Sequence, residues 1–178
     1  MTNLNLLRTA LDDLEMQELN AFKHIEAVEG LKTQFNHSIK SLKPKIGWLP
    51  AYTCLVYVLG FAGDATYSAA IKKMYPKEPY AGKEFFNWLV ANKHLVQIED
   101  GSESEGDFIV YFNSHNEFKH IGILDDKKRV KSKWGELGLY DHEIFEVLAS
   151  YGNDIKYFES IKYEFAITIF KQFAAEAV

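Results

Sequence analysis

Apolar residues in the first quarter of the chain recur at the spacing of an amphipathic helix. Leu7 and Leu11 begin one such series, and a second series runs over residues 28–42. This pattern predicts helix from residue 3 to about residue 43, with a break at Gly30, because glycine in a helix interior costs about 1 kcal/mol relative to alanine. We expect these apolar stripes to pack against the body of the domain, and a homodimer seam through the N-terminal helices is the alternative.

Short helices with clear end signals are predicted in the second quarter. Two prolines and a glycine place a loop over residues 44–52, and a helix follows over residues 53–59, closed by Gly60. Asp64 is a suitable N-cap for a helix that extends to residue 74. The apolar run in 53–61, "TCLVYVLGF", is also compatible with a buried strand, because short apolar runs do not distinguish the two. The segment 82–94 has apolar residues on one helical face.

After Lys93 the helical period gives way to strand-like runs separated by polar turns. The runs are residues 94–99, 107–112, 119–124 and 129–134. The tail adds a strand at 154–160 and either a strand or a closing helix at 163–174. Helices followed by a meandering antiparallel sheet predict an α+β domain. We assign residues 1–43 to a helical N-terminal extension and residues 44–178 to the α+β domain.

Composition narrows the range of partners and compartments. The formal net charge of −5 argues against nucleic acid as a partner, and the one basic stretch, residues 127–133, is short enough to be a solvated turn and strand edge. A single cysteine excludes an internal disulfide, and no apolar run reaches the length of a membrane span. The acidic N-terminus does not resemble a signal peptide. We therefore expect a cytoplasmic protein with no membrane partner, with export by a signal-independent route as the alternative.

Cys54, the single cysteine, is a candidate nucleophile in the first turn of a predicted helix. Pro50 prevents an earlier helix start, and Thr53 is a good N-cap residue. A helix N-terminus and a nearby histidine both lower a thiol pKa, and both are available here. The alternative is a small hydrophobic residue in the core, since cysteine is among the most buried residue types.

His120 is the strongest candidate base among six histidines, because it opens an apolar strand directly after a loop. His24 and His37 are expected at the surface or boundary of the N-terminal helices. The remaining candidates are weaker: His94, His115 and His142. We assign no cofactor and no metal, since no His, Cys and carboxylate cluster has ligand spacing, and Asp125 and Asp126 are typical turn residues.

The order of these features resembles the papain-like cysteine hydrolases, and most closely the NlpC-type branch of bacterial cell-wall peptidases and amidases. Gly106 and Asp107 match the Gly-Asp that opens one strand of that branch, and residues 120–123 match its His-apolar-Gly-apolar strand. The segment 131–158 also resembles a bacterial family of uncharacterised activity with Ser-Lys-x-Gly, His and Tyr-Gly segments. The matching residues here are Ser132, Lys133, Gly135, His142, Tyr151 and Gly152.

The resemblance covers residues 48–158 and implies a papain-like (NlpC-type) core, in which the Cys-bearing helix packs on an antiparallel sheet. It implies a thiol peptidase or amidase with Cys54 as nucleophile, His120 as base and Ser132 as the residue that orients His120. The substrate would be a peptide or another amide.

Several positions depart from that family pattern. Ser132 stands where many such enzymes have histidine, Thr53 where many have aspartate, and bulky Leu55 where a small residue is usual. The alternative function is therefore a catalytically inactive papain-like domain that binds a protein partner.

Three aromatic residues near the predicted site are candidates for substrate binding, namely Trp48, Tyr52 and Trp134. Aromatic walls suit a peptide or a sugar-peptide. For the two tryptophans the alternative is a core position with a hydrogen-bonded indole N–H.

Overall fold

The structure is a computed structural model that describes residues 3–42, 52–74, 82–135 and 137–176. Its α-helices are α1 (Asn3–Glu15), α2 (Ala21–Gly30), α3 (Lys32–Phe35), α4 (Cys54–Val58), α5 (Ala65–Met74), α6 (Lys83–Ala91) and α7 (Tyr163–Glu176). Its strands are β1 (Lys40–Ser41), β2 (Gln97–Ile98), β3 (Phe108–Phe112), β4 (Phe118–Leu124), β5 (Val130–Lys133), β6 (Leu139–His142) and β7 (Asp154–Phe158). A short 3₁₀ helix covers Ala149–Tyr151.

Within the described residues, the strands form one sheet in the order β1-β6-β5-β4-β3-β7-β2. Every pairing in it is antiparallel. Successive hairpins build its centre, and β7 returns to pair with β3 on the other side. The α+β class predicted from the element order is confirmed.

The two faces of the sheet are covered by different helices, because side chains alternate along each strand. Phe108, Val110 and Ile121 point to one face and pack with the side chains of α4, α5, α6 and α7. Ile109 and Tyr111 point to the other face and pack with α1, α2 and α3. Helices therefore cover both faces of the sheet that carries His120.

The N-terminal segment differs from the predicted continuous helix in several ways. The helix ends at Glu15 and resumes at Ala21, where the Asn20 side chain accepts a hydrogen bond from the Lys23 N–H at 3.0 Å. A second break falls at Gly30, as predicted. Asn36 adopts a left-handed conformation (φ +49°) that ends α3. The next residues turn into β1, which pairs with β6, so this segment contributes an edge strand to the sheet. The domain boundary at 43/44 stays a prediction.

The other elements follow the predictions more closely. The Cys54 segment is helical, Asp64 accepts a hydrogen bond from the Tyr67 N–H at 2.6 Å at the start of α5, and the tail closes as helix α7. The strand predicted at 94–99 shrinks to β2, and β6 was not predicted. Of the predicted loop over residues 44–52, only Tyr52 lies within the described residues. No helix among the described ranges is both long and apolar enough to cross a membrane.

Candidate active site

Cys54 is the first residue of α4 and lies against the centre of the sheet. Thr53 is the N-cap residue in an extended conformation, with φ −86° and ψ 170°, as the sequence predicted. Helix α4 packs on β4 and β5, and the Cys54 side chain is only 9 % exposed. Cys54 therefore has features of both sequence interpretations. It lies at a helix start, as expected for a nucleophile, and it is buried, as expected for a core residue.

His120 lies on β4, on the face opposite to Ile121. The imidazole is 1 % exposed, and its Nε2 atom has no hydrogen-bond partner among the described residues. The Tyr151 ring stacks on it with a centroid distance of 4.1 Å and an interplanar angle of 12°. Tyr111, its partner across the β3–β4 ladder, lies at 5.6 Å and 48°.

Cys54 and His120 line one pocket of about 300 Å³, together with Thr53, Leu55, Gly82, Phe118, Gly135, Tyr151 and three charged residues. The charged residues are Glu15, from the N-terminal segment, and Lys83 and Lys119. Both lysines pair with Glu117, at 3.0 Å and 3.6 Å. The two predicted catalytic residues are therefore brought together beside charges of both signs.

Gly122 explains the glycine in the His-apolar-Gly-apolar strand. A Cβ atom built there would lie 2.4 Å from Val130 Cγ1 and 3.0 Å from Ser132 Cβ. The absence of a side chain lets β5 pack closely beside β4, on the face that carries His120. This requirement is steric and holds whatever the activity of the site.

Ser132 makes its hydrogen bonds to residues other than His120. Its hydroxyl accepts a hydrogen bond from Trp134 Nε1 at 3.0 Å and lies 2.8 Å from His142 Nε2. His142 Nδ1 lies 2.8 Å from the Glu143 carbonyl, which can only accept, so Nδ1 carries the proton and Nε2 accepts from Ser132. The role predicted for Ser132, orienting His120, stays a prediction.

The three predicted substrate-binding aromatics have different positions. Trp48 lies outside the described residues. Trp134 is fully buried in the core, where it packs on Tyr140 at 4.3 Å, as the core alternative predicted. Tyr52 is half-buried and lies beneath the Lys133 ammonium, which is 5.0 Å from its ring centroid. Neither Tyr52 nor Trp134 is among the pocket-lining residues that the structure describes.

Lys133 has an unusual position for a lysine, because it is fully buried. Its Nζ atom donates hydrogen bonds to the carbonyls of Gly135 at 3.1 Å and Leu137 at 2.8 Å. These bonds hold the turn after β5, and Gly135 in that turn lines the pocket. The sequence placed Lys133 in the Ser-Lys-x-Gly segment but gave it no role.

Two histidines contradict the sequence prediction of surface or boundary positions. His24 is fully buried, and its Nδ1 atom lies 2.8 Å from the Tyr140 hydroxyl. His37 is 2 % exposed and lies 3.0 Å from the Val28 carbonyl. Both histidines are buried because the N-terminal segment folds onto the sheet. Helix periodicity in the sequence does not predict this packing.

The acidic residues Asp125 and Asp126 and the start of the basic stretch form a turn, and from Val130 on the basic stretch is strand β5. The Asp125 side chain accepts hydrogen bonds from the N–H groups of Lys127 and Arg129, at 2.9 Å and 2.8 Å, as expected for a turn residue. Arg129 also forms ion pairs with Asp141 and Glu143. Over the described part of the chain, no group of three or more His, Cys, Asp or Glu residues is placed to hold a metal ion.

The pKa of the Cys54 thiol is raised in the structure, whereas the sequence predicted that it is lowered. Burial raises the pKa of Cys54 to about 11, against the opposing effects of nearby backbone N–H groups, the Ile121 N–H first, and of the Lys133 charge. Burial, followed by the proximity of His142, lowers the pKa of His120 well below its usual value. Both groups are therefore neutral at pH 7.

We expect alkylation of Cys54 by iodoacetamide to be slow at pH 7 and to rise about tenfold per pH unit towards pH 10. A thiol with this raised pKa holds ~300-fold less thiolate at neutral pH than an exposed thiol with a pKa of about 8.5. The rate of mass gain in the native protein, compared with the rate in urea, measures this difference. Fast reaction at pH 7, with an inflection below pH 8.5 that disappears in His120→Ala, would instead establish a thiolate–imidazolium pair.

Comparison with known proteins gives one finding. A family model described as "Domain of unknown function (DUF7689)" matches residues 49–159. The matched segment includes Cys54, His120 and Tyr151, whereas α1, α2, α3 and α7 lie outside it. No curated protein and no solved structure matches the chain.

Proposed function

We propose that this chain, which belongs to the DUF7689 family, is a cysteine hydrolase that cleaves a peptide or amide bond. Cys54 is the nucleophile and His120 is the general base. The observation that carries the proposal is the pocket of about 300 Å³ that both side chains line. The pocket is the kind of concave, mainly apolar cleft with a few polar groups in which substrates bind.

The scaffold proposed for this activity is papain-like. Its support is that helix α4, with Cys54 at its start, packs on β4, the strand that carries His120, and that this strand belongs to an antiparallel sheet. The helix start also places backbone N–H groups beside the thiol, where they stabilise negative charge. We propose a cytoplasmic location, supported by a single cysteine that is present as a free thiol.

The proposed chemistry begins from a neutral pair. His120 is in its basic form at pH 7, so it takes the Cys54 proton while the sulfur attacks the substrate carbonyl. The C–N bond of the substrate then breaks, and the proton on His120 passes to the leaving amine. Water, deprotonated by His120, hydrolyses the thioester, releases the acid and restores the thiol. Proton transfer within the substrate complex, rather than a preformed thiolate, activates the nucleophile.

A second candidate function is a non-catalytic binding domain. It is favoured by the burial of Cys54, which raises the thiol pKa, together with the hydrogen bonds that the Ser132 hydroxyl makes to His142 and Trp134. In that function the same pocket receives a segment of a protein partner, and Cys54 is an apolar wall residue.

Turnover of p-nitrophenyl acetate distinguishes the two functions, because it supplies an activated acyl group without a specific substrate. We expect p-nitrophenol release with an acetyl group on Cys54, detected by intact mass. Cys54→Ser should abolish the acylation, and His120→Gln should slow it about 100-fold or more, in line with the loss of a general base. His115→Gln, in an exposed loop, is the matched control and should retain the wild-type rate.

Serine is nearly isosteric with cysteine, so circular dichroism should give the same spectrum for Cys54→Ser and the wild type. A folded wild-type protein that leaves Cys54 unacylated and releases no p-nitrophenol would reject the hydrolase and favour the binding domain.

A further inference from the structure

The His120 imidazole has an aromatic contact where cysteine hydrolases use a polar orienting group. Tyr151 stacks on it almost in parallel, whereas Tyr111 is farther away and tilted. The orienting residue predicted from the sequence, Ser132, is instead hydrogen-bonded to Trp134 and His142. Among the described residues the stack is therefore the most specific contact that restrains the plane of the ring.

We propose that Tyr151 is the positioning residue of His120 and that helix α1 holds Tyr151 in place. The proposal deepens the proposed hydrolase function and rests on it for the catalytic role of His120. A parallel ring at 4.1 Å restricts rotation of the imidazole about its side-chain bonds, and offset stacking is a favourable arrangement of aromatic rings. Stacking acts on the ring face and does not itself occupy a ring nitrogen, and Nε2 is without a partner in the described structure.

The turn that carries Tyr151 is held by Arg8 of α1. Arg8 is 5 % exposed, and its guanidinium donates hydrogen bonds to the carbonyls of Val147 at 3.1 Å, Leu148 at 3.1 Å and Gly152 at 2.6 Å. It also donates to the side chain of Asn153. These bonds bracket Tyr151 on both sides along the chain, so a single side chain of α1 fixes both ends of the turn.

Asp12, one helical turn after Arg8, makes a second attachment. Its carboxylate accepts hydrogen bonds from the Ser150 N–H, at 3.1 Å to Oδ2, and from the Ser150 hydroxyl, at 2.7 Å to Oδ1. Ser150 directly precedes Tyr151 within the 3₁₀ helix. Arg8 and Asp12 therefore present a cation and an anion to the same short turn.

Helix α1 also supplies Glu15, which lines the pocket itself. Residues 8, 12 and 15 lie on one side of the helix, since residues three and four apart are neighbours on a helix surface. Helix α1 lies outside the segment matched by the family model. The N-terminal segment is thus a structural part of the candidate site rather than a separate appendage.

The test compares Tyr151→Leu with Tyr151→Phe in the full chain. The leucine variant removes the ring, and the phenylalanine variant retains it. We follow the His120 ring by NMR of ¹³C/¹⁵N-histidine-labelled protein, with His120→Gln to assign its signals, and p-nitrophenyl acetate turnover. In Tyr151→Leu we expect the His120 signals to broaden, its pKa to rise towards the usual value, and turnover to fall about 10- to 100-fold.

Tyr111, Tyr151 and His142 lie close to His120, and Cys54, Glu15, Lys83 and Lys119 line the same pocket, so all of these titratable groups enter the interpretation of its titration. Tyr151→Phe should restore both the His120 titration and the turnover of the wild type. A purely structural role for Tyr151 would lower stability without moving the pKa of His120. Wild-type His120 signals and titration in a folded Tyr151→Leu would overturn the proposal.

Asp12→Ala keeps Tyr151 and removes one of the two attachments of its turn to α1, the bonds to Ser150, so it tests the proposal if Tyr151→Leu does not fold. It should shift the His120 signals in the same direction as Tyr151→Leu, whereas Asp13→Ala, on the exposed side of α1, should not. Unchanged His120 signals in a folded Asp12→Ala would overturn the role of the Asp12 attachment in holding Tyr151. Shifted signals in a protein without any turnover would retain Tyr151 as the residue that holds His120 and reject only the hydrolase.

Discussion

Replacing Gly152 with alanine should lower the free energy of unfolding by about 3 to 5 kcal/mol, the sum of backbone strain and a steric clash. Gly152 has φ +93° and ψ −178°, a conformation available almost only to glycine. A Cβ atom there would lie 2.0 Å from the Phe112 carbonyl oxygen and 2.6 Å from its carbon. Both atoms belong to the backbone of β3, which is paired on both sides and cannot yield. Urea denaturation followed by tryptophan fluorescence measures the loss.

Gly101→Ala is the matched control for this variant. Gly101 has almost the same φ, +88°, but a Cβ atom there meets no other atom within 4 Å. The control should therefore lose only the strain contribution, about 1 to 3 kcal/mol. Equal losses at the two positions would mean that the close approach of the Tyr151 turn to Phe112 contributes nothing to stability.

The order of helices and strands was predictable because local patterns carry it. Pro50 and Thr53 fix the start of α4 through backbone geometry and N-capping, and polar turns separate the central strands. The N-terminal helix was extended too far because Phe35, Ile39 and Leu42 continue a helical period. Phe35 does end helix α3, but Ile39 is buried in the turn before β1, which folds onto the sheet, and Leu42 follows β1 and is only partly buried.

The strand β6 was not predicted, and its sequence shows why. Its residues, "LYDH", lack an apolar run, and the buried members are Tyr140 and His142. Tyr140 is stabilised by Trp134 and His24, which come from other elements. A strand whose buried side chains are a tyrosine and a histidine has no apolar pattern in the sequence. It can be identified only once its tertiary contacts are known.

The candidate site was only partly predictable for a related reason. The resemblance to the papain-like hydrolases led us to expect Cys54 and His120 close together, but the depth of both side chains is a property of the packed fold. Burial therefore reversed the expected direction of the thiol pKa shift. The signal that identified Tyr151 was the Tyr-Gly segment, yet its contact with His120 depends on Arg8 and Asp12, far away in sequence.

The buried histidines predict a steep loss of stability in mild acid. Burial lowers the pKa of His24 and of His142 to about 4 in each case, and it lowers the pKa of His120 well below its usual value. In the unfolded chain these groups regain a pKa of about 6.5, so between about pH 6.5 and 4 the unfolded state binds more protons than the folded state. Their contribution to stability is therefore complete above pH 6.5 and is lost as the pH falls towards 4.

Near pH 5 we expect unfolding to take up about three protons, so the free energy of unfolding should fall by about 3 to 4 kcal/mol per pH unit. The charged groups around these histidines include Lys133 near His24, and Glu146, Arg129 and Asp141 near His142. The carboxylates with lowered pKa values, such as Glu117 at about 2, contribute to the slope only below about pH 5, where the unfolded chain begins to take up protons on them.

Urea midpoints measured from pH 8 to pH 4.5 test this expectation. His142→Gln should reduce the slope by about one proton, because it removes one of the three histidines whose pKa is lowered, although it also lowers stability at pH 7. His115→Gln, in the exposed loop between β3 and β4, should leave the slope unchanged. A flat profile between pH 6.5 and 5 would show that the folded protein accommodates charged imidazoles, and the neutral His120 on which the proposed proton transfer depends would then be wrong.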